Sequence, residues 1–436
     1  MDSNFSLNDV SEQPNHGTRV HPTIVATASV IIGLVVGALG AYGLIKLTEK
    51  PCSCPKSSTS VGLQNLEGLE SVDLGFLKLE SDSKNLIYSP LSIRYGLSLL
   101  GAGAKGETRD EITKLLTGAQ LPQYQNIPDK LSLANAVFVR DTFKNAVLPK
   151  YTQIIKDDYN GEIIYDNFVS SRNMDSWVDK KTFGLIDQIG VTPTINTQMI
   201  LANALAIQMD WEHRFDTNDT YGRTFLLADG SEMQATTMYQ ETNASDVRYF
   251  TDESTTAISL PLDSTDGDVD LEFIAIMPSG DLGEYTKNVN YSILNSVINQ
   301  MTPASTQKDG VIIHIPRFKF DYRLDFKNDL KSLGVEAAFD ERTADFSELA
   351  SEPLYVGEAS HNANIDFSED GVKAAAVTSF NLNAASAEGE THPVVIDINR
   401  PFLFIIRDAK NYTNWFTGTV YRPNLWEDDA ASYGRH

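Results

Sequence analysis

Apolar and polar positions follow two different periods along this chain. Residues 91–101, 107–117, 148–159 and 171–182 place apolar side chains at helical spacing. Other runs are apolar and rich in β-branched and aromatic residues: "LSLANAVFVR", "MILANALAIQMDW", "AISLPL", "LEFIAIMP", "VIIHIPRFKF" and "VVIDINRPFLFIIRD". Helical patterns dominate the first half and strand patterns the second. That mix predicts an α+β fold with large, mostly antiparallel sheets. From about 62 to 425 there is no Gly/Pro/Ser-rich break and no internal repeat, so the pattern predicts one domain, although 436 residues would favour two.

One stretch fits neither pattern. In "GVKAAAVTSFNLNAASAEG", residues 371–389, Val372, Ala374, Ala376, Thr378, Phe380 and Leu382 fall on one side of an extended chain. Lys373, Ala375, Val377, Ser379, Asn381 and Asn383 fall on the other. Alanine, serine and asparagine are poor strand formers, so this is a weak strand where a loop is expected.

Another stretch is apolar without alternation. Thr23 to Ile45 holds 23 residues with no charge, long enough as a helix to cross the ~30 Å hydrocarbon core of a membrane. The expected organisation is a polar tail over 1–22, a membrane helix over 23–45 and a linker over 46–61. The folded body is expected over 62–425 and a C-terminal tail over 426–436. Gly33 and Gly37 form a GxxxG face. Lys46, Lys50 and Lys56 follow the span while Arg19 alone precedes it, which by itself favours a cytoplasmic body. A signal peptide cleaved near Ala38-Leu39-Gly40 is the alternative.

Composition removes several functions. A net charge of −24 argues against a nucleic-acid partner, which needs a basic footprint. The two cysteines, Cys52 and Cys54, are one residue apart and badly placed to bridge each other. No Cys/His cluster has metal-ligand spacing, so no metal and no cofactor are expected. There is no GxSxG, HExxH, Walker or GxGxxG motif, and the seven histidines are scattered. An enzyme is the weaker class.

Three longer segments are more specific. They are "NLIYSPLSIRYGLSLLGAGAKGETRDEITKLL" (85–116), "LANALAIQMDWEHRF" (201–215) and "IDINRPFLFIIRD" (396–408). With "NMDSWVDKKTFGLI", "RTFLLADGSEMQATTMY", "HIPRFKF", "LKSLGVEAAFD" and "FTGTVYRPN" in order, the chain resembles the serpin family over about 62–424. The resemblance implies three β-sheets, eight or nine helices and an exposed reactive-centre loop on a metastable body. It also implies that residues 371–385 are a strand waiting for a sheet. About ten new backbone hydrogen bonds at ~0.5–1.5 kcal/mol each would favour insertion by roughly 5–15 kcal/mol.

The hinge implied by the resemblance is Glu369, Gly371, Val372, Lys373, Ala374, Ala375, Ala376, Val377 and Thr378. Inhibitory members usually read Gly-Thr-Glu-Ala-Ala-Ala-Ala-Thr. Here Val372 replaces an inward threonine of similar shape, and Lys373 points to solvent. Counting forward from Gly371 puts the reactive bond at Ala385-Ser386. Counting back from Pro401 points nearer Glu390-Thr391, and Leu382 and Ala387 are competing sites.

Other positions carry over singly. Glu369 and Arg317 match a pair at the top of the main sheet, and Trp211 matches the tryptophan beneath it. Ser89, Ser92, Asn203 and His361 match the polar cluster that governs the opening of the sheet. The segment "GAQLPQYQNIPDK" is too short for the helix with which relatives bind heparin, so no heparin partner is expected.

The expected function is suicide-substrate inhibition of an elastase-like or subtilisin-like serine protease with a small apolar pocket, or of a cysteine protease. The membrane is the other expected partner, through residues 23–45. Proteases of this class act outside the cytoplasm, so the body is placed there, extracellular or periplasmic, against the lysine distribution. The alternative function is a non-inhibitory serpin acting as a ligand carrier or chaperone.

Overall fold

The computed structural model describes residues 28–37, 66–80, 83–116, 121–263, 269–372 and 392–427. The strands that frame the candidate site are β1 (Ala28–Gly37), β2 (Leu131–Arg140), β3 (Glu162–Asp166) and β4 (Thr197–Ile207). They continue with β5 (Met209–Asp210), β6 (Phe318–Asp325), β7 (Leu354–Phe367) and β8 (Gly371–Val372). Six of them form the main sheet in the order β6-β7-β1-β4-β2-β3, and β5 pairs with β8 as a short ribbon.

β4 shows why the sequence builds this sheet. Its side chains alternate between two buried layers, as a strand covered on both faces requires. Ile200, Ala202 and Ala204 pack with Trp177 and Val178 of helix α2 (Arg172–Lys181). Met199 and Leu201 face the other way, into the core that holds Ile93 and Leu97 of helix α1 (Pro90–Gly103). Pro90 at the first position of α1 and the Ser89 hydroxyl, which accepts from the Ser92 amide at 3.1 Å, fix where that helix starts.

A seven-stranded sheet lies beside this core, with Thr255–Pro261, Leu271–Pro278, Phe402–Asp408 and Thr413–Val420 as its long antiparallel members. A four-stranded sheet holds Tyr221–Leu226, Glu232–Thr242, Val311–Pro316 and Val394–Asp397. With nine α-helices among the described residues, this is the α+β architecture that the pattern predicts, with the three large sheets that the resemblance implies. Two apolar runs are each divided between sheets. "VIIHIPRFKF" crosses at Arg317, whose amide donates to Thr236 O at 2.8 Å, and "VVIDINRPFLFIIRD" crosses between Asp397 and Phe402, where proline has no amide to give a ladder.

The membrane helix expected over 23–45 is not supported by the described residues. Its described part, Ala28–Gly37, is a strand seated between β4 and β7 and parallel to both. Val30, Ile31, Ile32, Val35 and Val36 are β-branched and suit a pleated strand once two sheet edges are on offer. Gly33 and Gly37, expected on a helix-dimer face, lie in this strand. Among the described residues no helix is long and apolar enough to cross a membrane.

Candidate functional site

The chain leaves β7 at Phe367 and turns back at once. Ser368 and Gly371 exchange amide–carbonyl bonds of 3.2 and 3.3 Å, and Gly371 and Val372 then pair antiparallel with Asp210 and Met209. Gly371 has φ +152°, and a Cβ there would sit 2.5 Å from Met209 O, so only glycine fits without displacing backbone. Val372 is fully buried.

Glu369 anchors this turn from within the protein. Its side chain is almost wholly buried, and Thr220 Oγ1 donates to its Oε1 at 2.7 Å. Arg317 Nη1 lies 3.8 Å from Oε2, and the Phe215 amide donates to its carbonyl at 3.0 Å. Trp211 holds the turn from below. Its Nε1 donates to Ser368 O at 2.9 Å, its amide donates to Asp370 O at 3.0 Å, and its ring meets Phe367 edge-on at 5.2 Å. Burial pushes the Asp370 carboxyl above its usual range. Arg214 opposes that shift and the neighbouring Glu369 adds to it.

At the centre of the main sheet, His361 on β7 accepts from the Ser89 amide through Nε2 at 2.9 Å. Asn203 on β4 donates to Asn135 on β2 at 2.8 Å. His361 and Asn203 stand opposite the same β1 residue, Leu34. They are therefore two strand spacings apart, roughly 9–10 Å. Asn362 and Asn364 of β7 donate to Ile189 O and Leu185 O at 3.0 and 2.7 Å, which ties the segment between α2 and β4 to the sheet.

The turn thus ends in a two-residue strand paired with Met209 and Asp210 and is held by a buried acid. The model of the serpin (serine protease inhibitor) family matches residues 74–423. The chain belongs to the serpin family. A serpin-like protein of Thermococcus kodakarensis is 25% identical over 372 residues, covering 80% of this chain and 83% of its own length. A leukocyte elastase inhibitor of Xenopus tropicalis is 25% identical over 368 residues, covering 78% of this chain and 93% of its own. Among solved structures, the thermophilic serpin tengpin in its native state matches with a TM-score of 0.70 at 26% identity, over 85% of this chain and 97% of that one.

The serpin fold gathers Glu369, Arg317 and Trp211 at one end of the main sheet, and Ser89, Ser92, Asn203 and His361 at its middle. Lys373, Ala374, Ala375, Ala376, Val377, Thr378, Ala385 and Ser386 lie outside the described residues. Sequence reasoning missed Thr220 and Asp210. Thr220 sits in the polar run "DTNDT", where nothing marks one threonine as the partner of an acid 149 residues away. No cluster of metal-ligating side chains occurs among the described residues.

Proposed function

We propose that this serpin is a suicide-substrate inhibitor of a serine protease with a small apolar pocket, of the elastase-like or subtilisin-like kind. The observation that carries the reading is the position of Val372. The first hinge residues are already strand-paired on β5 with Val372 buried, and the inward series that follows (Ala374, Ala376, Thr378) holds no charge. A buried unpaired lysine or arginine there would stall insertion. The similarity to a protein named a leukocyte elastase inhibitor agrees with the small Ala385 at the reactive bond.

In this reading the protease serine attacks the Ala385 carbonyl and the Ala385–Ser386 bond breaks. The leaving amine becomes the new terminus at Ser386, and Ala385 stays esterified to the protease. Insertion of residues 371–385 into the main sheet then distorts the acyl-enzyme before water can release it. Glu369 and Arg317 hold the turn where insertion starts, and the Ser89, Ser92, Asn203 and His361 cluster governs how the sheet parts. The body acts outside the cytoplasm, where such proteases work, and protease protection of intact cells tests that placement.

Incubation with a panel of serine proteases is the direct test. A band of summed mass that survives boiling in SDS, with a released peptide beginning at Ser386, is expected once the slot between β4 and β7 is free. Cleavage with no such band, both with Ala28–Gly37 seated in the sheet and with that strand displaced, makes the chain a carrier or chaperone. A peptide beginning elsewhere within 382–391 moves the reactive bond.

A further inference from the structure

β1 and β8 occupy the same sheet edge end to end. β5 continues the line of β4 after Gln208, and β8 covers Met209 and Asp210 while β1 covers Thr197 to Ala206. The two run in opposite directions, β8 antiparallel to its partner and β1 parallel to β4 and β7. On insertion, continuing the register of β8 would bring Lys373 opposite Gln208, Ala374 opposite Ile207 and Ala375 opposite Ala206, the position that Gly37 holds. From Ala375 to Ala384 every further loop residue needs a position on β4 that β1 holds.

We infer that residues 28–37 are a built-in plug that competes with the reactive loop for the slot between β4 and β7. This rests on the reading above for the loop's destination. Parallel and antiparallel ladders place their hydrogen bonds at different spacings, so the loop cannot slide in alongside β1 and has to expel it. While the plug is seated, both inner edges of the opened sheet are paired, as buried backbone requires. Both competitors belong to one chain, so the contest does not depend on protein concentration. A protease that cuts the loop of the plugged form finds no spring and leaves as after any substrate. Expulsion of the plug arms the inhibitor.

The test uses the full chain and a full-length Ile32→Pro/Val35→Pro variant, in which two ladder amides are lost and the strand is broken. A synthetic peptide of residues 371–385 is offered to both. Uptake at least about tenfold faster by the variant is expected. A rise in melting temperature after loop cleavage is also expected for the variant and not for the parent. In the unmodified chain, amides 29–36 should be protected from hydrogen exchange, a readout that does not depend on the variant folding. Equal peptide uptake by both, rapid exchange of those amides, or a mature chain that starts beyond residue 37 overturns the plug. If the variant takes the peptide but neither form traps a protease, the plug stands and the inhibitor reading fails. If both trap and gain stability equally, the inhibitor reading stands and the plug fails.

Discussion

The main sheet and the seven-stranded sheet are built on opposite principles. In the seven-stranded sheet the long strands are antiparallel neighbours, and Phe273 stacks on Phe404 at 5.8 Å. Glu272 lies buried between Arg407 at 2.8 Å and Arg248 at 2.5 Å, and it also accepts from Ser259. Burial alone would push the Glu272 carboxyl up, but Arg407, Ser259 and Arg248 more than offset it and hold it below its usual range. The centre of the main sheet instead takes its middle strand from a remote segment. The polar side chains on its slot walls bond outward: Asn203 to Asn135, His361 to Ser89, and Asn362 and Asn364 to the 185–189 segment. Removing β1 therefore breaks backbone ladders and leaves those bonds in place. One sheet is cross-tied, and the other is arranged to exchange a strand.

The largest test of that contrast is Glu272→Ala, which leaves the buried Arg407 without its partner. A loss of about 3–5 kcal/mol is expected in urea unfolding, equal for intact and loop-cleaved protein. A loss confined to the intact form would show that the two sheets are not independent. Gly371→Ala forces a Cβ against Met209 O at a strained φ, with an expected loss of about 1–3 kcal/mol. It should free Val372 and raise proteolysis near the turn, and unchanged proteolysis would contradict the fit described for β8. Trp211→Phe keeps a ring against Phe367 but loses the bond to Ser368 O. The expected cost is about 1 kcal/mol in the intact protein, read from its unfolding midpoint.

The last effect concerns pH and is weakened by solvent, because Asp329 is only partly buried. Burial, with Glu80 and Asp325 nearby, pushes the Asp329 carboxyl up to about 6 against the pull of Lys84, and its Oδ2 has no hydrogen-bond partner. An acid whose folded pKa is raised contributes stability that is present below its unfolded value and lost as pH rises through the folded one. Stability of the parent relative to Asp329→Asn should therefore fall between about pH 4 and about pH 7. Parallel melting curves across that range would contradict it.

Much of this was legible in the residues. "LSLANAVFVR" and "LEFIAIMP" coincide with their strands because apolar content, β-branching and flanking polar residues agree there. The runs divided at Arg317 and before Phe402 were not legible as pairs of strands, because hydropathy reports burial and not which sheet provides it. Within segment 23–45, the described residues 28–37 departed from the expected helix for a related reason. A central strand paired on both edges and a helix in lipid can both be apolar without alternation, so length favoured the membrane while the β-branched Val30, Ile31, Ile32, Val35 and Val36 suited a strand. The Glu369–Arg317 pair came from family resemblance, since 52 residues separate its members and no local pattern joins them.

The parallel seating of β1 also bears on biosynthesis. This strand is translated first, yet its partner β7 begins 317 residues after Gly37. At roughly 5–20 residues per second, the ribosome delivers that second wall about 15–60 s later. Through that interval a 23-residue uncharged stretch has no groove of its own to occupy. A nascent-chain chaperone or a lipid surface that shelters it would then decide whether newly made molecules are born locked or ready to fire.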